Sequence, residues 1–419
     1  MEYPTPYQKK AHDLNFLLRS QYWSLEQLQE LQLEGLKEMV SFARRFCPYY
    51  KDLPEINDID DVQKIPILTK NDIRENFGRI MVPEISHEIE ETGGTVSRVR
   101  VAKDNILAQQ IGLRRFQTWY GVRGWHREAH LWGSVEGATF RHYPEYLWMP
   151  VEQLDNRATA EKYLKALKEY RPEFFHGYAL PLATLAHYAN EMNIHPECGI
   201  IRSECETLTS SMRTEIESGF EIEHGLFNLY GSRDLGGMAQ DCYKHRDLHT
   251  QMERYIIESK NGRLLYTDLM NYCFPLIRYE NQDIGELGDS CDCGIHLTTL
   301  KPIIGRVLHY LKSKKDLWVS AFIFYLPINY HDIHHNSKIF DWIESFQIRQ
   351  REIGKVTLLL KSWSGEHVPT DLTVMKDIIR QYVKLEDFDL EVEVVDKIPV
   401  SRSGKQISVD TTLLREWEK

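Results

Sequence analysis

Behind Ser24 the leucines of LEQLQELQLEGLKEMVSFARRF recur every three and four residues, the spacing of one buried helix face. Ser24 can cap that helix, Glu26 and Glu30 suit the positive end of its dipole, and Pro48 ends the pattern. The chain up to Pro48 therefore reads as helical. Ile65 to Leu68 reads as a linker, and Thr69 opens a second capped helix on KNDIREN. From His87 to Lys103 the pattern becomes strand, turn, strand, with ETGGT as the turn and VRVA alternating with period two.

Helical and strand patterns then alternate. Helices are predicted over 105–120, 156–170, 181–193 and 209–219, and short strands over 128–132, 173–176, 198–202 and 226–229. Such alternation favours α/β layers. Between 251 and 287 the pieces ERYIIE, GRLLYTDL and FPLIRYE predict an attached β-rich subdomain. A boundary falls near Gly305-Arg306, dividing the chain into 1–305 and 306–419. Beyond it come a basic turn (KSKKD), a strand-like run (WVSAFIFYL), a helix (IFDWIESF), the strand KVTLLLKS, a helix around 371–383 and the strand EVEVV. That order predicts a small α+β domain. There is no internal repeat and no low-complexity tract.

Composition narrows the class. The 419 residues are 42% hydrophobic and 27% charged, ordinary for a soluble globular protein with a large core. A formal charge of −11 argues against a general nucleic-acid binder, yet it leaves room for an anionic substrate held by local donors. Seven cysteines are too few, and odd in number, for a disulfide scaffold, so a reducing, cytoplasmic setting is expected. No signal pattern and no apolar run near the ~20 residues of a membrane span is seen. An enzyme, monomeric or homodimeric, is the expectation.

Familiar catalytic signatures are absent: no G-x-x-x-x-G-K-S/T, no G-x-G-x-x-G after a strand, no G-x-S-x-G elbow. His126 and His130 lie four apart without the zinc-protease glutamate between them in the right place, and read as surface or satisfied-core residues. His331, His334 and His335 read as a polar loop. Three other groups carry more chemistry. Thr92, Gly93, Gly94 and Thr95, inside ETGGTVS, can form a nest of backbone N–H groups for phosphate, or a plain hairpin turn. Tyr230, Gly231, Ser232 and Asp234, inside NLYGSRDLGG, follow a strand; Asp234 suits magnesium, or is a solvated turn residue. Cys242, His249, Cys291 and Cys293 are four soft ligands suited to tetrahedral zinc, or are free thiols beside a histidine.

Taken in order, these stretches resemble the adenylate-forming ligase superfamily, in its phenylacetate–coenzyme A ligase and capsule-locus (CapK-like) branch. ETGGTVS resembles the family's phosphate loop, NLYGSRDLGG its Y-G-S/T-T-E motif and LIRYENQDIGEL its R-Y-x-T-G-D segment. IIGR at 303–306 resembles its hinge region and KIPVSRSGK its C-terminal P-x-x-x-S-G-K. RSECETLTSSMRTEIES and QDCYKHRDLH followed by CDCG match the branch. The resemblance runs from about residue 20 to 410.

It implies a large N-terminal α/β domain with a β subdomain and a small mobile C-terminal α+β lid. It implies ATP-dependent activation of a carboxylic acid as an acyl adenylate, then transfer to a thiol (coenzyme A) or an amine. Thr92, Gly93, Gly94 and Thr95 would cradle the phosphates, Ser203 and Glu204 border the adenine, and Tyr230 stack near the base. Asp234 would help hold Mg2+, Asp283 accept from the ribose hydroxyls, Arg306 lie near the nucleotide, and Lys405 reach from the lid to the forming acyl phosphate. Cys242, His249, Cys291 and Cys293 would be the branch's structural Zn2+ site. His176, Gly177, Tyr178, Tyr120, Trp119 and Trp132 lie where the family places acyl-pocket walls, and aromatic walls suit an aryl or flat acid. Val96, Arg98, Asp234 and Gln282 depart from the family pattern, and Val disfavours positive φ. An amide-forming ligase and a divergent, non-catalytic nucleotide-binding homologue are the alternatives.

Overall fold

Ser24 caps a long helix in the computed structural model of the chain. The described residues are 5–91, 99–104, 106–121, 124, 126–133, 139–151, 154, 157–205, 208, 210–245, 247–260, 263–288, 290–301, 310–321, 324, 327–328, 339–340, 342–362, 368–369, 371–383, 387–398 and 409–413. Helices α1 (Pro6–Ala11), α2 (Leu14–Ser20) and α3 (Leu25–Phe46) come first. Ser24 and Gln27 close a reciprocal capping box on α3, and Thr69 with Asp72 does the same for α4 (Lys70–Ile80). A hairpin of β1 (Glu88–Glu91) and β2 (Arg100–Lys103) follows.

The main layer begins with α5 (Ile106–Thr118), β3 (Glu128–Trp132), β4 (Arg141–Tyr143) and β5 (Tyr146–Pro150). It continues through α6 (Arg157–Tyr170), β6 (Phe174–Tyr178), α7 (Ala179–Met192), β7 (Glu197–Glu204) and α8 (Ser210–Gly219). β8 (Glu221–Ser232), β9 (Gly236–Asp241) and β10 (Leu248–Thr250) lead to β11 (Tyr255–Lys260), β12 (Arg263–Asp268), β13 (Tyr279–Ile284) and β14 (Thr299–Leu300). Nine strands form one sheet in the order β14-β10-β9-β8-β7-β6-β3-β5-β4, while β11, β12 and β13 form a separate antiparallel sheet. From β5 to β8 the neighbours are parallel.

Period-two burial divides the parallel strands. Ala129, Leu131, Phe175, Ile201 and Leu226 pack under α6, α7 and α8, whose Tyr163, Leu164, Leu167, Leu182, Leu185 and Ile216 complete one core. A second core joins the N-terminal helices to the small sheet, through residues such as Leu36, Met39, Tyr266 and Tyr279. The expected β-rich segment is this small sheet. It is clamped by long-range bonds: the hydroxyl of Tyr50 donates to Pro275 O (2.9 Å), and Leu68 N donates to Arg278 O (3.0 Å).

Beyond 305 lie β15 (Tyr310–Lys312), β16 (Trp318–Ser320), β17 (Ile343–Glu352), β18 (Lys355–Ser362), α9 (Thr373–Tyr382), β19 (Asp389–Val394) and β20 (Val409–Thr411). The last four strands form a mixed sheet, β19-β18-β17-β20. A third core draws only on residues from Leu311 to Val409.

Two expectations fail here. The predicted helix IFDWIESF runs into β17 from Ile343 onward, because Phe346 and Ile348 alternate inward and pair with Leu360 and Leu358 of β18. Pairing overrides the local helical spacing. The strand-like WVSAFIFYL is extended only over 318–320; the chain turns at Ala321, and Phe324, Pro327 and Ile328 are helical. Strands β4 and β5 were not anticipated; β5 ends on Pro150, a residue that argues against a buried strand.

One ion pair crosses these layers. Arg115 of α5 is fully buried and its NH1 lies 2.7 and 2.8 Å from the Glu253 carboxylate oxygens, while the Ser20 hydroxyl donates to Oε1 at 2.6 Å. Removing one partner strands a buried charge. Glu253→Ala is expected to cost about 3–5 kcal/mol in chemical denaturation, and an Arg115→Met/Glu253→Met pair clearly less. Equal losses in the two variants would show that the ion pair is not the source.

Candidate active site

Chain order fixes where a crevice opens. From β3 the chain leaves toward β4 and β5 on one side, and from β6 it leaves through α7 toward β7 on the other. The β3/β6 pair is therefore the sheet's topological switch point. Crevices in open α/β sheets lie at such points, outside the carboxyl ends of the strands. The two strands approach closely because residue 177 is glycine: a Cβ there would sit 2.8 Å from Leu131 O. On the face away from α6, α7 and α8, the ends of β3 and β6 present Trp132 and Tyr178, ring centroids 4.5 Å apart.

Below them runs a row of ionisable groups. His130 Nδ1 meets His176 Nε2, and His176 Nδ1 lies 2.5 Å from Glu204 Oε1. Arg202 NH2 donates to the same oxygen at 3.0 Å, and His130 Nε2 lies 3.3 Å from Glu128 Oε2. Side-chain exposure is 13% at His176 and 14% at Glu204. Burial, partly countered by Glu204, pushes the His176 pKa down to about 4. Burial would raise that of Glu204, but Arg202 and then His176 outweigh it and hold it near 2. A neutral imidazole thus faces an ionised carboxylate. Ser203, next in line, is fully buried, and its Oγ lacks a hydrogen-bond partner among the described residues.

A second network starts one strand over, where β7 pairs with β8 and Glu204 sits opposite Leu229. The Tyr230 hydroxyl donates to Asp283 Oδ2 at 2.6 Å and lies 2.9 Å from the Tyr266 hydroxyl, so Tyr266 donates to Tyr230. Asn281 Nδ2 donates to Tyr230 Oη (3.1 Å) and to Asp283 Oδ2 (2.6 Å). Burial, reinforced by Asp283, raises the Tyr230 pKa well above its usual value and keeps it a donor. Gly231 lets the β8–β9 turn close, since a Cβ would lie 2.7 Å from Gly236 O. Asp234 in that turn is buried, not solvated, and accepts from the Tyr279 hydroxyl at 2.7 Å. Ser232 Oγ accepts from Leu235 N at 3.3 Å.

The four soft ligands also meet. The ligand atoms of Cys242, His249, Cys291 and Cys293 all lie within 4.8 Å of one another. Cys242 Sγ is 3.7 Å from Cys291 Sγ, and Cys293 Sγ is 3.2 Å from His249 Nε2. Four ligands about 2.0–2.3 Å from a shared centre have edges of about this length. His249 Nδ1 turns to Leu297 O at 3.2 Å, aiming Nε2 at the cluster, and Lys244 N and Ile295 N each approach a cysteine sulfur at 3.4 Å. The group could hold one tetrahedral metal ion. None of the seven cysteines is in a disulfide.

Not every expected residue joins these groups. Trp119 packs against the metal-ligand cluster: its Nε1 donates to Gln21 Oε1 at 2.8 Å and its ring lies 5.5 Å from that of His249. Tyr120 packs on Phe227, and its hydroxyl donates to Asp241 O at 2.8 Å. His126 is exposed and apart from His130. Thr92, Gly93, Gly94, Thr95, Arg306, Lys405 and the histidines at 331, 334 and 335 lie outside the described residues. Sequence reasoning missed His130, Tyr266, Tyr279 and Asn281. The signal for two was present: in YENQDI, Asn281 alternates with Asp283, and in EAHLW, His130 alternates with Trp132.

No family model matches the chain. A phenylacetate-coenzyme A ligase of Thermus thermophilus is 25% identical over 317 residues, 67% of this chain and 71% of that protein. Protein CapK of Staphylococcus aureus is 24% identical over 317 residues, 69% of this chain and 70% of its own. A solved 2-hydroxyisobutyryl-CoA ligase, in complex with 2-HIB-AMP and CoA, superposes with a TM-score of 0.58 at 14% identity, covering 94% of this chain and 92% of that one. At that identity the likeness is one of fold. The fold is that of the adenylate-forming ligases, and the ordered motifs resemble theirs. Within that superfamily the chain is similar to the phenylacetate–coenzyme A ligase and CapK-like branch.

The row of ionisable groups makes a pH prediction. His176 titrates below its ordinary 6.5 in the fold, so on acidification the unfolded chain takes up a proton that the folded chain refuses until about pH 4. Glu204 contributes stability above the ordinary carboxylate value of 4.5, lost as pH falls toward about 2. Both signs agree. Urea stability should decline from about pH 6.5 downward, and His176→Phe should flatten the upper part of the decline. Parallel curves for the two proteins would refute the assignment.

Proposed function

We propose that the chain is an ATP-dependent ligase that activates a carboxylic acid as its acyl adenylate and passes the acyl group to the thiol of coenzyme A. The observation that carries this reading is the ordered set of motifs, from ETGGTVS to KIPVSRSGK, on a chain in which Glu204, Tyr230, Asp234 and Asp283 lie on neighbouring strands and turns. The named relatives support it, being phenylacetate-coenzyme A ligases.

The carboxylate oxygen attacks the α-phosphorus of ATP, and the bond to pyrophosphate breaks. The thiol sulfur then attacks the acyl carbon, AMP leaves, and the thiol proton is lost to solvent. The first step joins two anions, so positioning and charge neutralisation dominate. Thr92, Gly93, Gly94 and Thr95 offer backbone and hydroxyl donors to the phosphates. Ser203 and Glu204 border the base, Tyr230 lies beside it, and Asp283, fixed by Tyr230 and Asn281, accepts from the ribose hydroxyls. Arg306 would serve the nucleotide sugar. Lys405, on a lid of residues 306–419, supplies a compact cation to the forming acyl phosphate. Asp234 would offer one of the hard carboxylates that magnesium takes beside phosphate oxygens, and the ion would offset phosphate charge. His176, Tyr178 and Tyr120 wall the acyl side, and Gly177 between them lets β6 close against β3.

The Cys242, His249, Cys291 and Cys293 group holds zinc in this reading. All four positions are protein ligands, so the role is structural.

Two measurements test these assignments. Pyrophosphate exchange over a panel of carboxylic acids should proceed with the native chain and be abolished by Lys405→Ala, whose circular dichroism should stay native. Exchange that persists in the variant would reject the lysine assignment; no exchange with any acid together with no ATP binding would reject the ligase. Metal analysis of purified protein should give about one zinc per chain, lost together with stability in Cys293→Ser. Protein free of metal, with native stability, would exclude the zinc site.

A further inference from the structure

Two bridges cross between the large and the small sheet in opposite senses. Tyr230, on β8 of the large sheet, donates its hydroxyl to Asp283, on β13 of the small one, at 2.6 Å. Tyr279, the first residue of the same β13, donates back to Asp234, in the β8–β9 turn of the large sheet, at 2.7 Å. Each sheet thus holds a carboxylate that belongs to the other. Asp234, Tyr279 and Asp283 are all buried, where water competes little for such bonds.

The turn is held at a second point. The carbonyl of Leu235, next to Asp234, accepts from the Tyr255 hydroxyl of β11 and from Arg254 NH2 at 3.2 Å. Arg254 is itself paired with Asp268, at the end of β12, at 3.0 Å. All three strands of the small sheet therefore bear on one turn of the large one. The bridges are also tied to each other. Tyr266 of β12 stands opposite Tyr279, and its hydroxyl lies 2.9 Å from that of Tyr230. The β12–β13 register shifts beside this point: Leu265 faces Glu280 but Arg263 faces Ile284, so β13 carries extra residues between 280 and 284. Asn281 and Asp283 fall in that stretch, and both reach Tyr230.

We propose that Tyr279 is a positioning residue for ATP, forming with Tyr230 a reciprocal brace that sets the β8–β9 turn against Asp283. The proposal rests on the ligase reading, in which that turn meets the phosphate end of the nucleotide and Asp283 meets the ribose. Tyr279 touches no reacting atom and acts through Asp234. One strand, β13, then fixes the spacing between the two ends of the nucleotide, and small misplacements of such groups are costly.

The test measures binding of magnesium ATP and of AMP to the full chain by calorimetry. AMP reaches Asp283 but lacks the β- and γ-phosphates. Tyr279→Phe, which keeps the buried ring and removes only the hydroxyl, should weaken ATP about ten-fold and AMP little. On an Asp234→Ala background it should weaken ATP no further, because the two side chains act as one unit. Tyr230→Phe, which releases Asp283, should weaken ATP and AMP alike. Tyr255→Phe, which loosens the same turn at Leu235, should repeat the Tyr279→Phe split in smaller measure, and it carries the test should Tyr279→Phe not fold. Equal losses for ATP and AMP, no loss for either, or an effect of Tyr279→Phe that persists beside Asp234→Ala would each mark a merely structural hydroxyl and overturn the proposal. The ligase reading would survive any of these, provided the native chain binds ATP and exchanges pyrophosphate. A native chain that does neither with any acid would remove the reading and the proposal together.

Discussion

Register in the parallel half of the sheet is the constraint on which the candidate site depends. His130 stands opposite His176, His176 opposite Arg202, and Tyr178 opposite Glu204. A slip of one residue in β6 would carry His176 and Tyr178 under the helices and bring Phe175 and Gly177 out. Two features hold the register. Phe175 is wholly buried in the helix-covered core, and Gly177 sits against Leu131 O where no side chain fits. The apolar core and the polar row are therefore opposite faces of one alternation.

That alternation also explains the charge states. Groups that would titrate freely in water are placed where water is scarce, and each burial is matched by a specific partner. Arg202 and His176 keep Glu204 ionised, while Tyr230 and Asn281 converge on one oxygen of Asp283. Unmatched, such groups would cost several kcal/mol each. Matched, they are fixed in one orientation before any ligand arrives, and a site working by positioning and electrostatics needs that. The two networks meet at the β7–β8 strand ends, with Glu204 opposite Leu229 and Tyr230 next in the chain.

Much of this was legible in the sequence. The helix starts at Ser24 and Thr69, the alternation from 105 to 229 and the four soft ligands each rest on local rules of capping, period and ligand chemistry. What stayed hidden is non-local. Cys242 and His249 lie more than 40 positions from Cys291 and Cys293, and only the antiparallel β9, β10 and β14 edge brings them together. IFDWIESF reads as a helix until its partner strand is known. His130 looked bland because its weight comes from one partner 46 residues away.

Trp119 was expected at the acyl wall, and its actual place links the metal-ligand cluster to the crevice. Helix α5 and the turn that follows it are held at three points. Arg115 is fixed to Glu253, and Trp119 is fixed to Gln21 while stacking edge-on to His249. Tyr120 follows at once, on Phe227 and the Asp241 carbonyl. Leu28, Met252, Ile295 and Leu297 pack around the same cysteines, so the cluster ties the N-terminal helices to the antiparallel edge of the large sheet. An ion there would stiffen the segment that sets Tyr120 on the open face of the sheet. Its effect on the crevice would pass through packing alone, which is how a fully protein-ligated metal influences chemistry it never touches.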